Sequence, residues 1–211
     1  MKHSPVEAEP AAAAALFGEH IDTARSLAGD LVTYGEQLGL IGPRELERVW
    51  SRHILNSAVL AHLVKEGSLA DIGSGAGFPG LVLAIMRPDV HCVLIEPMER
   101  RATWLRDEAD RLGLENVEVM RSRAQDVAAG RQFDTVTARA VSALKKLVPM
   151  TQRLVAPGGQ MVFLKGQRLD EEIREASGVL ASSGLDTIES LVVGPEFGTE
   201  ETRVFRATLG G

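Results

Sequence analysis

A run of glycines between Asp71 and Gly80 is the feature of the sequence that points most directly to chemistry. It lies between two apolar segments, where a strand of an open α/β fold turns into a helix and where such folds bind ligands. Glycine lets the backbone turn sharply there and approach a ligand closely. In one register Gly73, Gly75 and Gly77 give GxGxG, and in the other Gly75, Gly77 and Gly80 give GxGxxG. The loop therefore predicts a nucleotide cofactor without deciding its kind.

An acidic residue, Glu96, ends the next predicted strand, 23 residues after Gly73. A carboxylate at that strand end can accept hydrogen bonds from both hydroxyls of an adenosine ribose. NAD and S-adenosylmethionine share this ribose. GxGxG is the common methyltransferase spacing, whereas GxGxxG is the spacing of dinucleotide-binding enzymes. Glu96 therefore supports an adenosine-containing cofactor and leaves both classes of enzyme open.

Two further polar sites follow the third and fourth predicted strands. After the third strand, Gln125 or Asp126 could contact the adenine amino group, although Asp126 could equally cap the short helical turn there. Arg139 ends the fourth strand, where a guanidinium can pair with a methionine carboxylate or an RNA phosphate. The alternative for Arg139 is a structural salt bridge.

Strands alternate with helices along most of the chain, which predicts a mostly parallel sheet with helices on both faces. We predict strands over 69–72, 90–95, 117–120, 133–138 and 160–165, and helices over 79–86, 97–112, 144–154 and 171–182. The β-rich segments 185–193 and 202–208 could pair antiparallel and complete a seven-stranded sheet. Before the sheet we expect a loose tail over 1–10, one or two helices over 11–40 and a helix over 44–65. The predicted organisation is an N-terminal helical extension (1–66) and a Rossmann-like, cofactor-binding domain (67–211).

The composition limits the class of protein. Of 211 residues, 45% are hydrophobic and 4% aromatic, so the chain can form a core but has few aromatic platforms on which bases could stack. We expect Met98, Trp104 and Met150 in the core. The single cysteine, Cys92, excludes an internal disulfide and a cysteine-cluster metal site, and we predict no bound metal. We find neither a membrane span of roughly 18 apolar residues nor a signal peptide, and expect a cytoplasmic protein.

The net charge of −6 hides an uneven distribution. Residues 97–168 contain 13 basic and 8 acidic side chains, whereas residues 169–211 contain 3 and 9. The basic stretch could be a surface that faces RNA or a set of ordinary solvated helix faces. Composition leaves both interpretations open.

Together these motifs resemble one family, the bacterial small-subunit rRNA (guanine-N7)-methyltransferases, also called glucose-inhibited division protein B. The resemblance runs from about Leu38 to Gly166, and its most specific pieces are Arg52-His53-Ile54-Leu55-Asn56-Ser57, Asp71 to Gly80, Thr137-Ala138-Arg139-Ala140-Val141, Pro157-Gly158-Gly159 and Leu164-Lys165-Gly166. It implies a class I methyltransferase fold that binds S-adenosylmethionine. It also implies methylation of N7 of a guanine in the 530 loop of 16S rRNA, free or in the 30S subunit, by a monomer.

The resemblance, with the glycine loop, also implies roles for single residues. Cofactor contacts are expected at Gly73, Gly75, Gly77, Phe78, Glu96, Ala124, Gln125 and Arg139. From their places at one edge of the sheet or on the helix before the glycine loop, we expect catalytic roles for Arg139, Lys165 and His53, and RNA contacts for Arg52, His53, Arg139 and Lys165. From its type alone, His53 could instead be a half-buried structural histidine. The family usually has an acid where this chain has Gln125.

Guanine N7 carries a free lone pair on an exposed edge of the base, so its methylation needs no proton removal and no obligatory general base. The main task of such an enzyme is to align nucleophile, methyl carbon and sulfur. Three other functions stay open. They are a nicotinamide-dependent oxidoreductase, for which no Tyr-x-x-x-Lys pattern is present, a methyltransferase for small molecules or proteins, and a non-catalytic nucleotide-binding partner protein.

Overall fold

The computed structural model describes residues 6–211, including every side chain except that of Pro43. Its strands are β1 (Ser68–Ile72), β2 (His91–Ile95), β3 (Val117–Met120), β4 (Phe133–Arg139), β5 (Val155–Lys165), β6 (Leu185–Val193) and β7 (Thr202–Leu209). They form one sheet in the order β3-β2-β1-β4-β5-β7-β6. The first five strands run parallel, and β7 pairs antiparallel with both β5 and β6. The predicted seven-stranded, mostly parallel sheet is confirmed.

The strand order reverses between β1 and β4. The chain runs from β1 outward through β2 to β3, and then returns to place β4 on the other side of β1. Such a switch point leaves a crevice at the carboxyl ends of the two central strands, where open α/β folds bind ligands. The glycine loop follows β1, and Arg139 ends β4. Two of the predicted site features therefore meet at this crevice.

Eight α-helices occur in the described part of the chain. They are α1 (Ala11–Phe17), α2 (Ile21–Tyr34), α3 (Asn56–Ala58), α4 (Gly80–Met86), α5 (Glu99–Arg111), α6 (Leu144–Thr151), α7 (Leu169–Glu175) and α8 (Ser177–Ala181). The predicted helix over 171–182 is thus two short helices, and the predicted helix over 144–154 ends in a 3-10 turn at Gln152–Leu154. No helix among residues 6–211 is both long enough and apolar enough to cross a membrane.

Helices cover both faces of the sheet, as the alternation of side chains along β2 shows. Val93 packs into an apolar cluster with α6, α7 and α8, whereas the next residue, Leu94, packs with α4 and α5. Both side chains are fully buried. Successive residues of a strand point to opposite faces, so a continuous apolar run is what a sheet covered on both sides requires.

The predicted helix over 44–65 is wrong as a single α-helix. The segment consists of a 3-10 turn at Pro43–Arg48, a π-helical stretch at Val49–Leu55, the short helix α3 and a 3-10 turn at Ala61–Leu63. The wider π turn shifts which side chains face inward, so that His53 and Ile54 are buried while Arg52 is largely exposed. Periodicity alone could not show this change of winding.

The N-terminal segment packs directly on the sheet layer. Leu27 and Ile54 share one buried apolar cluster with Leu81 of α4 and Leu105 of α5. The two segments therefore share one core. The predicted boundary at residue 66, between the helical extension and the cofactor-binding domain, stays a prediction. The predicted tail lies outside the described residues for positions 1–5, and the described chain from Val6 leads to α1 at Ala11.

Candidate active site

The loop after β1 is held against the end of β2 by backbone hydrogen bonds. The N–H groups of Gly73 and Ser74 both donate to the Ile95 carbonyl, at 2.8 and 3.3 Å. Gly75 has a φ of +58°, a conformation that costs a residue with a Cβ roughly 1–2 kcal/mol. A Cβ on Gly75 would meet nothing closer than the Gly73 carbonyl oxygen, at 3.7 Å. The backbone of Gly75 therefore faces an open cleft rather than the core.

The remaining two glycines of the loop have a different reason. A Cβ at Gly77 would collide with the Leu81 side chain, and one at Gly80 would collide with Leu94 and with the Asp71 carboxylate. Gly77 therefore lets the Leu81 side chain of α4 pack against the loop, Gly80 lets α4 pack closely on the sheet, and neither glycine lines the cleft. The cleft is lined by Gly73 and Gly75, which favours the GxGxG register. The predicted cofactor contact at Gly77 stays a prediction. Packing against Leu81 is by itself enough to explain why position 77 is a glycine.

Asp71 ties the first turn of α4 to β1. Its Oδ2 accepts a hydrogen bond from the Gly80 N–H at 3.0 Å, while Oδ1 is buried without a partner among residues 6–211. Burial raises the pKa of Asp71 to about 7 from an ordinary value of 3.8. The folded protein therefore keeps a proton that the unfolded chain loses near pH 4.

This proton makes the stability pH-dependent. Because the folded state binds it up to about pH 7, the free energy of unfolding should fall as pH rises from about 4 to 7. An Asp71→Asn variant mimics the protonated carboxyl and should lack this decline. We expect its stability relative to the wild type to increase through that window and then level off, measured by chemical denaturation at several pH values.

Asp134 offers a control of opposite sign. Hydrogen bonds from the Ser68 side chain and N–H lower the pKa of Asp134, so its contribution to stability is lost as pH falls. Asp134→Asn should therefore cost stability at neutral pH and cost less in acid. A constant difference between Asp71→Asn and the wild type from pH 4 to 8 would contradict the role assigned to Asp71.

Glu96 lies at the end of β2 with both carboxylate oxygens fixed. Oε2 accepts the Gly75 N–H at 3.0 Å, and Oε1 accepts the Met98 N–H at 2.9 Å. Glu96 is only 3% exposed, yet each oxygen keeps a lone pair for a further donor. Such an acceptor suits a ribose hydroxyl. Met98 itself is 48% exposed, so its predicted place in the core is wrong, because it precedes the first turn of α5 at the rim of the sheet.

Trp104 and Met150 do belong to the core. Trp104 is 6% exposed, and its indole N–H donates to the Ala76 carbonyl. This hydrogen bond fixes the glycine loop to α5. Met150 packs at the edge of the apolar cluster on the opposite face of the sheet. Cys92 is fully buried in β2, and burial raises the pKa of its thiol to about 12.

Arg139 is held between an aromatic ring and a histidine. Its guanidinium lies over the Phe78 ring, 5.4 Å from the centroid, and Nη2 donates to His53 Nδ1 at 2.6 Å. His53 in turn stacks on Phe78 at 5.1 Å between ring centroids. Nη1 is buried and has no hydrogen-bond partner among residues 6–211. Burial and the charge of Arg52 lower the pKa of Arg139 to about 10, so it remains a cation at neutral pH.

The hydrogen bond from Arg139 fixes the tautomer of His53. Arginine can only donate, so Nδ1 is the acceptor and the ring proton is on Nε2. That nitrogen lies 2.7 Å from Glu45 Oε2, without the alignment of a good hydrogen bond. Burial and the charge of Arg139 lower the pKa of His53 to about 4, so the ring is neutral at physiological pH. His53 therefore orients Arg139 rather than carrying charge.

Two clefts meet at Arg139 and Ala140. The cofactor cleft, as we call the first, has a volume of about 210 Å³ and is lined by Leu40, Ile41, His53, Gly73, Ser74, Gly75, Ala76, Phe78, Arg101, Arg139 and Ala140. The cationic cleft, with about 490 Å³, is lined by Arg48, Arg52, Asn56, Arg139, Ala140, Leu164, Lys165, Gly166, Gln167, Glu172, Glu200, Glu201, Thr202 and Arg203. A ligand in one cleft therefore borders a ligand in the other.

The other predicted residues are distributed around these clefts. Lys165 lines the cationic cleft, but its Nζ pairs with Glu172 at 2.7 Å and donates to the Ser142 carbonyl at 3.0 Å. Arg52 also lines this cleft, 3.3 Å from Glu45. Ala124 and Gln125 form a 3-10 turn after β3, two strands away from β1, and neither lines the cofactor cleft. Their predicted contacts with adenine stay predictions.

Several lining residues were not predicted. In the cofactor cleft these are Leu40, Ile41 and Arg101, and in the cationic cleft Asn56, Glu172 and Arg203. Arg203 reaches its place because β7 runs antiparallel to β5, which sets it directly opposite Lys165. No local motif marks such a residue, and the sequence signal would have been only a cation near the start of a terminal strand.

These residues fit an adenosine-containing methyl donor with a carboxylate. Glu96 supplies an anchored acceptor for ribose, the backbone of Gly75 leaves room for close approach, and Arg139 Nη1 is a buried donor that has no hydrogen-bond partner among residues 6–211. An unpaired buried donor is costly, so a site that holds one is suited to an anionic ligand. No cluster of three or more His, Cys, Asp or Glu side chains suited to a metal occurs in residues 6–211.

A family model described as rRNA small subunit methyltransferase G matches residues 20–195 of the chain. The chain belongs to this family. The ribosomal RNA small subunit methyltransferase G of Clavibacter sepedonicus is 52% identical to it, over 99% of each chain. That of Leifsonia xyli subsp. xyli is 51% identical, over 97% of this chain and 98% of its own. A SAM-dependent methyltransferase from Aquifex aeolicus shares the fold, with a TM-score of 0.57 at 19% identity over 76% of this chain and 93% of that one.

Membership in the methyltransferase G family and the likeness in fold confirm four predictions made from sequence. The family, the Rossmann-like class I fold and the enzyme class are those expected, and S-adenosylmethionine is the methyl donor. The nicotinamide alternative is thereby set aside, in agreement with the packing role of Gly77 and Gly80. Membership does not decide the roles of individual residues.

Proposed function

We propose that the protein transfers the methyl group of S-adenosylmethionine to N7 of a guanine in the 530 loop of 16S rRNA, acting as a monomer in the cytoplasm. The observation that carries this proposal is that the cofactor cleft and the cationic cleft meet at Arg139 and Ala140. A methyl donor in the first cleft would then border an anionic substrate in the second. The names of the curated relatives, which specify small-subunit ribosomal RNA, support the same substrate class.

The donor would be held by the residues of the cofactor cleft, and it supplies a methyl group already activated on a sulfonium. Glu96 would accept from the ribose, and the backbone of Gly73 and Gly75 would allow close approach. Arg139 Nη1 would take the methionine carboxylate or an RNA phosphate. The turn at Ala124 and Gln125 would complete the site near the adenine. In this assignment the protein binds and orients, which is the main requirement of an in-line transfer.

Among residues 6–211, no histidine that lines the two clefts has a ring lone pair left free to act as a general base, and the reaction needs none. Guanine N7 attacks through a lone pair that is free in the base. His53, the imidazole nearest the junction of the clefts, has Nδ1 occupied by Arg139 and its proton on Nε2 near Glu45. We assign it as a positioning residue for Arg139. This arrangement suits methylation of a ring nitrogen better than methylation of an amino group or a carbon, both of which must lose a proton.

The cationic cleft suits a nucleotide taken out of a loop. Arg48, Arg52, Arg139 and Arg203 all line it, and the RNA backbone is the anion that such a set would attract. The narrow major groove of an A-form helix hides N7, so the target guanine must be unpaired or displaced. A loop of the small-subunit rRNA meets this requirement. Arg52 remains our candidate for direct RNA contact, whereas Lys165 would act on the RNA through its partner Glu172.

The decisive experiment is methyl transfer from radiolabelled S-adenosylmethionine to 30S subunits from cells that lack this activity, followed by mapping of the labelled nucleotide. We expect one label, on N7 of a guanine in the 530 loop. Subunits from cells that have the activity are the matched control and should accept no label. Protein-free 16S rRNA, assayed in parallel, shows whether the assembled subunit is needed.

Two outcomes would overturn the proposal. Label at another position or on another RNA would show that the substrate is a different nucleotide, and the enzyme class would be unchanged. Tight cofactor binding without transfer to any RNA would favour a methyltransferase for small molecules or proteins, or a non-catalytic binding partner.

A further inference from the structure

Glu172 is a carboxylate that the structure holds ready on one wall of the cationic cleft. Its Oε2 pairs with Lys165 Nζ at 2.7 Å and accepts the Leu144 N–H at 3.2 Å. Lys165 is itself fixed, because it donates to the Ser142 carbonyl and its side chain is only 9% exposed. Oε1 has no partner among residues 6–211. One oxygen is therefore anchored and the other is free to accept from a ligand in the cleft.

The other carboxylates of this cleft lack such an anchor. Glu200 pairs with Arg48 at 2.6 Å, and both side chains are largely exposed to solvent. Glu201 is exposed and has no ionic or hydrogen-bond partner among residues 6–211. Exposed acids of this kind contribute little directional energy, because water competes for them. Glu172, whose side chain is 24% exposed beside Lys165, is the carboxylate of this cleft that the protein holds in a fixed orientation.

Guanine presents two donors, N1–H and the N2 amino group, on the edge opposite its N7. Adenine presents an acceptor at N1, which a carboxylate would repel. We propose that Glu172 selects the target base by accepting hydrogen bonds from N1–H and the N2 amino group of guanine at its free Oε1, with Lys165 as its positioning residue. A guanine that spans the cleft from Arg139 to Glu172 directs N7 toward the cofactor cleft. This inference rests on the proposed function and deepens it.

Inosine tests the assignment, because it lacks the N2 amino group and keeps N7. We would reconstitute 30S subunits that carry guanosine or inosine at the methylated position and measure kcat/KM for both with each variant. The wild type should prefer guanosine by about tenfold or more, as expected for a hydrogen bond to a charged group. In Glu172→Ala the preference should fall to about one. Lys165→Met keeps the Glu172 carboxylate but removes the ionic partner that holds it in place, so it should give an intermediate preference.

Matched variants separate this role from a structural one. Glu171→Gln changes the neighbouring acid on α7, which pairs with Arg168 outside the cleft, and should leave the preference at the wild-type value. Glu172→Gln preserves shape if the alanine variant folds poorly, and should still reduce the preference. All variants should bind S-adenosylmethionine as the wild type does, since Glu172 does not line the cofactor cleft. A merely structural defect would slow both substrates equally.

The possible failures can be told apart. A wild type that methylates guanosine and inosine subunits equally, or a Glu172→Ala variant that keeps the preference, overturns the inference and leaves the proposed function standing. Loss of the preference in Glu201→Gln instead would also overturn it and would assign base selection to Glu201. A wild type that methylates neither substrate while it binds the cofactor overturns the proposed function and this inference with it.

Discussion

Replacing Arg139 by alanine should reduce methyl transfer to 30S subunits by roughly 30-fold to several-thousand-fold. The guanidinium lies against Phe78 and His53, and its Nη1 is buried without a hydrogen-bond partner in the described part of the chain. Loss of one partner from a buried, charge-assisted contact costs about 2–5 kcal/mol, and each 1.4 kcal/mol is a factor of ten. Arg139→Lys should recover little, because an ammonium cannot contact His53 and an anion in the same fixed fork.

The same variant decides which anion Arg139 binds. If it holds the methionine carboxylate, the affinity for S-adenosylmethionine measured by calorimetry should fall, while that for methylthioadenosine, which lacks the carboxylate, should stay unchanged. If it holds an RNA phosphate, both affinities should be unchanged and KM for the subunit should rise. Removal of the Arg139 charge should also raise the pKa of His53, since that charge helps to lower it.

Arg131 is the matched control for this prediction. It also lies over a phenylalanine, 5.6 Å from the Phe133 centroid, and pairs with Glu118, but it precedes β4 and lies at the opposite edge of the sheet. Arg131→Ala should lose a similar cation–π contact and keep full activity. Near-normal activity in Arg139→Ala, or equal losses in both variants, would show that Arg139 has no special place in the reaction.

Local patterns predicted the cofactor half of the site because each of its parts follows a strand. The apolar runs before Gly73, Glu96 and Arg139 indicate buried parallel strands, and the carboxyl ends of such strands share one edge of the sheet. Knowing the strands is then enough to bring the three residues together. The sequence did not reveal why position 77 must be a glycine, because that depends on how closely Leu81 of α4 packs on the loop.

The cationic cleft was less predictable because it depends on pairing between distant segments. Arg203 lies opposite Lys165 only through the antiparallel register of β7, and Glu172 meets Lys165 only because α7 folds back over the strand end. A lysine after an apolar strand therefore predicted an RNA contact, whereas the structure gives that lysine an internal carboxylate partner. The π-helical turn that buries His53 and exposes Arg52 is likewise a consequence of tertiary packing.

The Gly75→Asp variant should fold but fail to bind S-adenosylmethionine. A Cβ at Gly75 points into the cofactor cleft, where the nearest atom is 3.7 Å away, so the side chain would not disrupt the core. It would instead occupy the space of the ligand and place a second carboxylate beside Glu96. The two carboxylates would repel each other, and this repulsion disfavours any arrangement in which both accept hydrogen bonds from the ribose. We expect no measurable binding by calorimetry and a loss of methyl transfer below detection.

Gly184 separates this effect from backbone strain. Its φ of +61° nearly equals the +58° of Gly75, nothing lies within 4 Å of a Cβ there, and it is exposed in the turn before β6. Gly184→Asp should therefore cost the same roughly 1–2 kcal/mol of stability and leave cofactor binding intact. If the two variants have equal melting temperatures and only Gly75→Asp loses cofactor binding, the cause is obstruction of the cofactor cleft and not backbone strain. Retained binding in Gly75→Asp would show that the cofactor does not lie against this loop, and the cofactor cleft would have to be placed elsewhere along the carboxyl edge of the sheet.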